Sequence, residues 1–387
     1  MRETRALVSV LGVLLATGWA ANHFSATIPV LVGDEGLSVT VVDAVFGLYA
    51  VGLVPGLFLG GGLSDRRGRP AVVLPGALVA ACGTAVLLAS HEPLGLAVGR
   101  FVVGLGAGLA VGAGTAWAGD LGGTRGTVLA GVFLTTGFGV GPLVSGALAQ
   151  WGPAPLRVPF VLSLVLSLGA VAAAWRLAVP LGPRPGVAAG DAPAAAVPDP
   201  VRSVGRALAW SMPVAIVVFA SATVVLVTLP PRLPADLGGP MLQGVAAISS
   251  LGAGIVVQTV ARLRAWGPRA GVVGLLLSAS GFGLLALGGE DVGVPLFLLT
   301  CVVMGLAYGL CLREGLLDVS ALAPASHRGV LTGFFYVVTY VGFGLPLLLT
   351  VLAPVAGTTA PVLVLAASAV ALALLRSAQL RGGHPAR

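Results

Sequence analysis

The residues of this chain best suited to chemistry are the few ionisable side chains that interrupt long apolar stretches. They are His23, Arg100, Arg313, Glu314 and Asp318. A charged side chain costs at least about 2.5–3.5 kcal/mol to insert at the centre of a bilayer, so it usually faces a partner or a water-filled cavity. Because Glu314 and Asp318 lie four residues apart on one helix face, repulsion between them favours a protonated or cation-bound form. We therefore predict that these five residues bind a substrate or carry a proton.

Some of these residues also have a purely structural interpretation. His23 could hydrogen-bond a neighbouring helix, and Arg313 with Glu314 could form an ion pair, although adjacent helical residues point roughly 100° apart. The other histidines are interpreted as loop or tail residues: His91, His327 and His384. The spacing of His, Cys, Asp and Glu resembles no metal site, and no nucleophile is matched to a base. We therefore predict neither a cofactor nor enzymatic activity.

Long apolar helices must position these side chains. The chain is 57% hydrophobic and 9% charged, with a mean hydropathy of +1.02, whereas a soluble domain is about 25% charged. A stretch of about 20 apolar residues crosses the hydrocarbon core as a helix. The sequence predicts twelve spans, at 6–32, 39–60, 71–90, 94–118, 127–149, 158–177, 206–229, 243–260, 270–288, 293–321, 329–353 and 358–376.

The distribution of arginine predicts the orientation in the membrane. If the first residues are cytoplasmic, most of the 21 basic residues fall in inward-facing segments, while acidic residues predominate in the outward-facing ones. This bias is typical of a multi-pass protein of the cell membrane with both termini in the cytoplasm. The net charge of +7 is scattered over short loops, so it suits anionic lipid headgroups and not nucleic acid.

The chain divides into two halves of similar length. Residues 178–204 are rich in proline, alanine and glycine and are predicted to form a flexible cytoplasmic linker. Residues 1–177 and 205–387 would then each form a six-helix bundle. A faint repeat supports this division, because 125–133 resembles 328–334 and each follows the fourth span of its half. Two six-helix repeats are the simplest account.

Three motifs resemble those of the major facilitator superfamily. Residues 61–70, GGLSDRRGRP, resemble the G-x-L-a-D-r-x-G-r-[K/R] signature that this family carries after its second span. Pro70 replaces the last basic residue, and the counterpart at 262–269 lacks the acidic one. Residues 99–108, GRFVVGLGAG, are similar to the family's R-F-x-x-G-x-G-A-G stretch. Residues 137–146, GFGVGPLVSG, resemble the G-x-x-x-G-P-x-x-G-G pattern associated with efflux antiporters.

The resemblance implies roles for two groups of residues. One group, called the gating motif below, would fasten the two bundles together in one state of a transport cycle: Gly61, Asp65, Arg66, Gly68, Arg69 and its expected acidic partner Asp120. The other group would form antiporter-type helix packing: Gly137, Gly141 and Pro142. The simpler alternatives are an ordinary positively charged loop for the first group and a plain helix kink for Pro142.

Together these features predict an all-α membrane protein of about twelve transmembrane helices in two six-helix bundles. The resemblance implies a secondary active transporter that moves a small, fairly apolar solute by alternating access, coupled to protons and directed outward. Such a transporter would function as a monomer. Two alternatives remain open: an uptake permease of the same fold, or a membrane ligand sensor that does not transport.

Overall fold

The computed structural model describes residues 2–179, 201–234 and 236–385. Eleven helical segments in this part of the chain are long and apolar enough to cross a membrane. One of them, Pro93–Trp151, has 59 residues; at about 1.5 Å per residue it is far longer than the roughly 30 Å hydrocarbon core. Gly123, with φ 59° and ψ −148°, breaks this segment. It therefore contains two spans, and the predicted all-α, twelve-helix fold is confirmed.

We label the spans α1 to α12 in chain order. They are α1 (Arg2–Gly33), α2 (Val39–Arg67), α3 (Pro70–Ala89), α4 and α5 (Pro93–Trp151, divided at Gly123), α6 (Val158–Leu177), α7 (Val204–Thr228), α8 (Pro240–Leu263), α9 (Arg269–Gly288), α10 (Val294–Leu322), α11 (Arg328–Ala356) and α12 (Ala360–Arg381). Most of these bounds agree with the predicted spans to within a turn of helix; the exceptions are the ends of α2 and α12 and the boundary between α4 and α5.

The predicted end of the second span at residue 60 is wrong. Helix α2 continues to Arg67, so Gly61, Asp65 and Arg66 lie in its final turns and not in a loop. Arginines near the carboxyl end of a helix interact favourably with its dipole. The helix therefore continues through the charged motif.

The predicted connection at residues 119–126 is also wrong. Its residues are helical apart from the break at Gly123. The helices on either side approach closely, because a Cβ atom on Gly126 would lie only 2.0 Å from the carbonyl oxygen of Ala118. Glycine at positions 123 and 126 allows the chain to reverse direction here, where a larger side chain would not fit.

Three spans change from α-helix to another helical form along their length. Helix α1 contains a 3-10 turn at His23–Thr27, and α7 ends in a π-helical turn at Val224–Thr228. Helix α11 contains a 3-10 turn at Val341–Gly344. Such interruptions are frequent at functional positions and at hinges.

Glycines on α4 allow it to pack directly against the backbone of α2. A Cβ atom on Gly104 would lie 2.0 Å from the carbonyl oxygen of Tyr49, and one on Gly108 would lie 2.3 Å from that of Leu53. Small residues at such contacts are the usual means by which membrane helices associate. Gly112, the next residue at the same spacing, faces open space among the described residues.

The chain forms two compact units. One contains α1 to α6 together with Gly239–Gly244, and the other contains α7 and the chain from Val245 onward. The first unit has a continuous apolar core that includes Leu14, Val73 and Trp117. The predicted division at a linker of residues 178–204 falls largely outside the described residues and stays a prediction.

Candidate functional site

Arg100 on α4 is completely buried in the first unit. Its Nη1 atom donates to the carbonyl oxygen of Ala21 at 2.8 Å, and Nη2 donates to that of Phe46 at 3.3 Å. The guanidinium carbon lies 4.9 Å from the ring centre of Phe24 and 4.8 Å from that of Tyr49. A planar, permanently charged group is suited to such combined hydrogen bonding and stacking. Arg100 thus holds a fixed positive charge among α1, α2 and α4.

His23 lies in the 3-10 turn of α1 and is also completely buried. Its Nδ1 atom lies 3.0 Å from the carbonyl oxygen of Trp19, so Nδ1 is the protonated nitrogen of the neutral ring in this arrangement. Its Nε2 atom is buried and has no hydrogen-bond partner within the described part of the chain. The ring packs edge-on against Phe160 at 5.1 Å. Nε2 is therefore available to accept a hydrogen bond.

Glu314 on α10 is completely buried in the second unit. Nη1 of Arg313 bonds to Oε1 of Glu314, so the two adjacent residues do form an ion pair. The arginine is partly buried, with 16% of its side chain exposed, and its Nη1 atom lies 3.5 Å from the carbonyl oxygen of Trp266. A long, flexible side chain overcomes the unfavourable angle between neighbouring helical positions.

Asp318, one turn further along α10, belongs to a separate buried cluster. Its carboxylate lies 2.5 Å from Nη2 of Arg376 on α12 and 3.1 Å from Nε2 of His384. Arg376 also donates to the carbonyl oxygen of Trp210 at 2.7 Å, and its guanidinium carbon lies 4.5 Å from that indole ring. The interpretation of His384 as an ordinary tail residue is wrong, because only 1% of its side chain is exposed.

The predicted repulsion between Glu314 and Asp318 is relieved because each carboxylate has an arginine partner. Gly271 on α9 lies beside both groups. A Cβ atom on Gly271 would lie 3.5 Å from Cβ of Glu314 and 3.6 Å from Nε of Arg376. The five ionisable residues predicted from the sequence thus lie in both units: His23 and Arg100 are in the first, and Arg313, Glu314 and Asp318 are in the second.

Four aromatic rings meet where α7, α10 and α11 pack together. Phe219 lies 4.5 Å from Tyr340, 5.3 Å from Phe343 and 5.8 Å from Tyr308, measured between ring centres. This cluster could not be predicted from the sequence, since isolated aromatic residues in apolar spans give no signal of mutual contact. Aromatic faces bind both apolar groups and cations.

The gating motif centres on Arg69. Its Nη1 atom lies 2.5 Å from Oδ1 of Asp65, and its Nε atom lies 3.3 Å from Oδ2 of Asp120. Nη1 also donates to the hydroxyl of Ser64 at 2.8 Å. Arg69 therefore links the end of α2 to α4, and the contact expected between it and Asp120 is present.

The other members of the gating motif differ in their surroundings. Gly68 ends α2 with φ 87° and ψ 153°, a conformation that is essentially restricted to glycine. Arg66 is exposed in the last turn of α2. Gly61 is also exposed, and a Cβ atom there would have no neighbour within 4 Å among the described residues.

The glycines of the antiporter-type pattern bring α5 against α1. A Cβ atom on Gly137 would lie 2.2 Å from the carbonyl oxygen of Leu15. One on Gly141 would lie 3.1 Å from Cα of Trp19. Pro142 follows directly inside α5. These residues therefore form a contact between α1 and α5.

No group of three or more His, Cys, Asp or Glu residues that could bind a metal ion occurs in the described ranges.

We predict that Gly68→Val reduces transport at least tenfold while expression and substrate affinity stay close to normal. A β-branched residue in this backbone conformation is strained by about 1–3 kcal/mol, and the strain would act on the equilibrium between states. Asp65→Asn should act in the same direction by weakening the contact to Arg69. Flux and binding by purified protein in vesicles provide the measurement. Gly62→Ala is the matched control, and near-normal flux in Gly68→Val would contradict the gating role.

Comparison with known proteins identifies the family. The profile described as Major Facilitator Superfamily matches residues 8–345. A solved POT family transporter in complex with 5-aminolevulinic acid is similar with a TM-score of 0.78 and 14% identity, over 97% of this chain and 96% of that one. A peptide transporter POT in complex with sulfate has a TM-score of 0.78 and 17% identity, over 99% and 96% of the two chains. At such identities the likeness shows the fold alone.

A shorter match links the chain to a named relative. Multidrug resistance protein MdtL of Klebsiella pneumoniae (strain 342) is 27% identical over 105 residues. The match covers 27% of this chain and 27% of the length of that protein, so the chain matches only about a quarter of this relative. The motifs, the twelve-helix architecture and the profile that covers most of the chain agree with one another. The protein belongs to the Major Facilitator Superfamily and is a transporter of that family.

Proposed function

We propose that this transporter exports a small, fairly apolar solute in exchange for protons. Residues 1–177 and 205–387 would alternate access to a binding site near the middle of the membrane. The proposal rests mainly on Glu314, a fully buried carboxylate that pairs with the adjacent Arg313. Such a group can be ionised while the pair is intact and neutral when the pair opens. It therefore offers a site where proton binding depends on the state of the transporter.

Arg100 and the aromatic rings around Phe219 supply the remaining chemistry. Arg100 carries a fixed charge that protonation cannot change, so it could favour an ionised acid in one state and release it in another. The four rings of the second unit suit an apolar or cationic solute. His23 would accept a hydrogen bond from the solute or a proton through its Nε2 atom.

Outward direction is supported by two observations. Gly137 and Gly141 pack against α1 as part of a pattern associated with antiporters, and the relative named above is called a multidrug resistance protein. An uptake permease is the second candidate, because the structural relatives are described as peptide transporters. A membrane ligand sensor would bind a solute without any flux.

Several further features complete the proposal. The protein would reside in the cell membrane with both termini cytoplasmic and function as a monomer. Its exposed arginines, such as Arg66 and Arg125, would contact anionic lipid headgroups. The gating motif would stabilise one state of the cycle.

Transport by purified protein in liposomes tests the coupling and its direction. We expect ethidium, a permanent cation that pH alone cannot trap, to accumulate in vesicles with an acidic interior, while valinomycin and equal potassium hold the membrane potential at zero. A radiolabelled dipeptide in parallel vesicles with an acidic exterior tests the permease. Accumulation of the dipeptide in the vesicles with an acidic exterior, without ethidium exchange, would favour the uptake permease. Binding of either probe without flux would favour the membrane ligand sensor.

We predict that Glu314→Gln binds the transported probe but no longer responds to the pH gradient. Glutamine keeps the shape of the side chain and cannot exchange a proton, so the probe should equilibrate without accumulating. Glu290→Gln, an exposed carboxylate in a connection, is the matched control. If Glu314→Gln accumulates the probe as the wild type does, the proton site lies elsewhere. The next candidates are then Asp318, His23 and Asp43, a buried carboxylate of α2.

A further inference from the structure

A proline in each unit leaves a carbonyl oxygen without its ordinary helical partner. Pro142 lies inside α5, and Pro346 lies in α11 just after the 3-10 turn. Proline has no backbone N–H, so it cannot donate to the carbonyl four residues earlier. The affected oxygens are those of Phe138 and Gly342. Buried carbonyl groups nearly always find another donor.

A side chain from another span donates to each of these oxygens. In the first unit, Nδ2 of Asn22 on α1 lies 3.0 Å from the oxygen of Phe138. In the second unit, the hydroxyl of Thr223 on α7 lies 2.8 Å from the oxygen of Gly342. The N–H of Leu345 also donates to Gly342 within the 3-10 turn, so Thr223 occupies the second lone pair of that carbonyl.

Backbone contacts bring the spans close enough for these bonds. A Cβ atom on Gly18 would lie 2.2 Å from the carbonyl oxygen of Leu134, which places α1 directly on α5. A Cβ atom on Gly342 would lie 2.2 Å from the amide nitrogen of Ala220, which places α11 directly on α7. A donor, a close backbone contact and a proline therefore occur together both at Phe138 and at Gly342.

Regular helix also ends at the same point in α1 and α7. Asn22 is the last residue before the 3-10 turn His23–Thr27. Thr223 is the last residue before the π-helical turn Val224–Thr228. In each case the regular part of the span is bonded to the proline-containing helix, and the irregular part begins directly beyond that bond.

We infer that Asn22 and Thr223 are matched positioning residues, which fasten α1 to α5 and α7 to α11 and so set the point about which the irregular turns bend. The inference rests on the proposed alternating-access cycle and names a device within each unit. Because it concerns the protein without substrate, it can be tested independently of the solute and of proton coupling.

The test measures alkylation of single cysteines placed beyond each bond, in full-length protein in liposomes. The natural cysteines Cys82, Cys301 and Cys311 are first replaced by alanine. A26C and V227C then report N-ethylmaleimide labelling of the turns of α1 and α7. Loss of a single hydrogen bond should speed labelling about fivefold in Asn22→Leu and Thr223→Val, with little change in the unfolding temperature. Thr223→Ser should label as the wild type does, because it keeps the hydroxyl.

A suppressor variant makes the test specific for the first unit. Pro142→Ala restores an N–H that can donate to the Phe138 oxygen, so Asn22→Leu combined with Pro142→Ala should label within about twofold of Pro142→Ala alone. The controls are Thr17→Val and Ser211→Ala, buried hydroxyls bonded only within their own helices in the described structure. If Pro142→Ala does not suppress Asn22→Leu, or if the controls accelerate labelling equally, the inference is overturned.

Discussion

Replacement of Arg376 with alanine should lower the free energy of unfolding by about 3–5 kcal/mol, the usual cost of removing one partner from a buried ion pair. Asp318 would remain completely buried after losing a guanidinium at 2.5 Å. The carbonyl oxygen of Trp210 would lose the same group as a donor. Thermal unfolding of the purified protein in detergent, followed by tryptophan fluorescence, measures the effect.

Two further variants show whether the buried charge of Asp318 is the cause. Asp318→Asn on the Arg376→Ala background should recover part of the lost stability, because an amide carries no charge to be neutralised. Arg381→Ala, on the same helix but exposed, should change stability by less than about 0.5 kcal/mol. An unfolding temperature in Arg376→Ala equal to that of Arg381→Ala would show that the cluster contributes no net stability.

Replacement of Arg100 with alanine should abolish active transport. The change removes the fixed charge of the first unit and the donors to Ala21 and Phe46, and it leaves an empty space among aromatic rings. We expect both a lower unfolding temperature and flux at the level of empty liposomes. The assay is ethidium flux with and without the pH gradient, alongside thermal unfolding.

Arg100→Lys separates the charge from the geometry. Lysine keeps the positive charge but lacks the planar fork that donates to two carbonyls and stacks on Phe24 and Tyr49. We expect it to fold and to transport about tenfold more slowly, equivalent to roughly 1.4 kcal/mol. Arg125→Ala, which replaces an exposed arginine near the start of α5, is the control. Wild-type flux in Arg100→Lys would mean that charge alone suffices.

The spans could be located from the sequence because membrane insertion imposes a local requirement. About 20 apolar residues must occur together to cross the hydrocarbon core. Whether a segment satisfies this requirement depends on its own composition and not on the rest of the chain. The errors fell where no local property marks a boundary. Helix α2 continues through a charged motif to Arg67, and only Gly123 separates α4 from α5.

Individual motifs also carried information about contacts that depend on one residue type. A glycine is required where Gly104 and Gly137 meet the backbone of another span, and Gly137 belongs to the pattern that was expected to form helix packing. The arginine and aspartate of the gating motif were expected to pair, and Arg69 lies between Asp65 and Asp120.

The sequence by itself thus determined the twelve spans, the family and the short list of buried ionisable residues. Only the tertiary structure decided their partners. Asp318 pairs with Arg376, 58 residues away, and with His384 beyond the last span. Asn22 reaches a carbonyl 116 residues away because Pro142 has left it open. Span formation depends on local composition, whereas these contacts depend on which helices pack together, and no local pattern of residues specifies that choice.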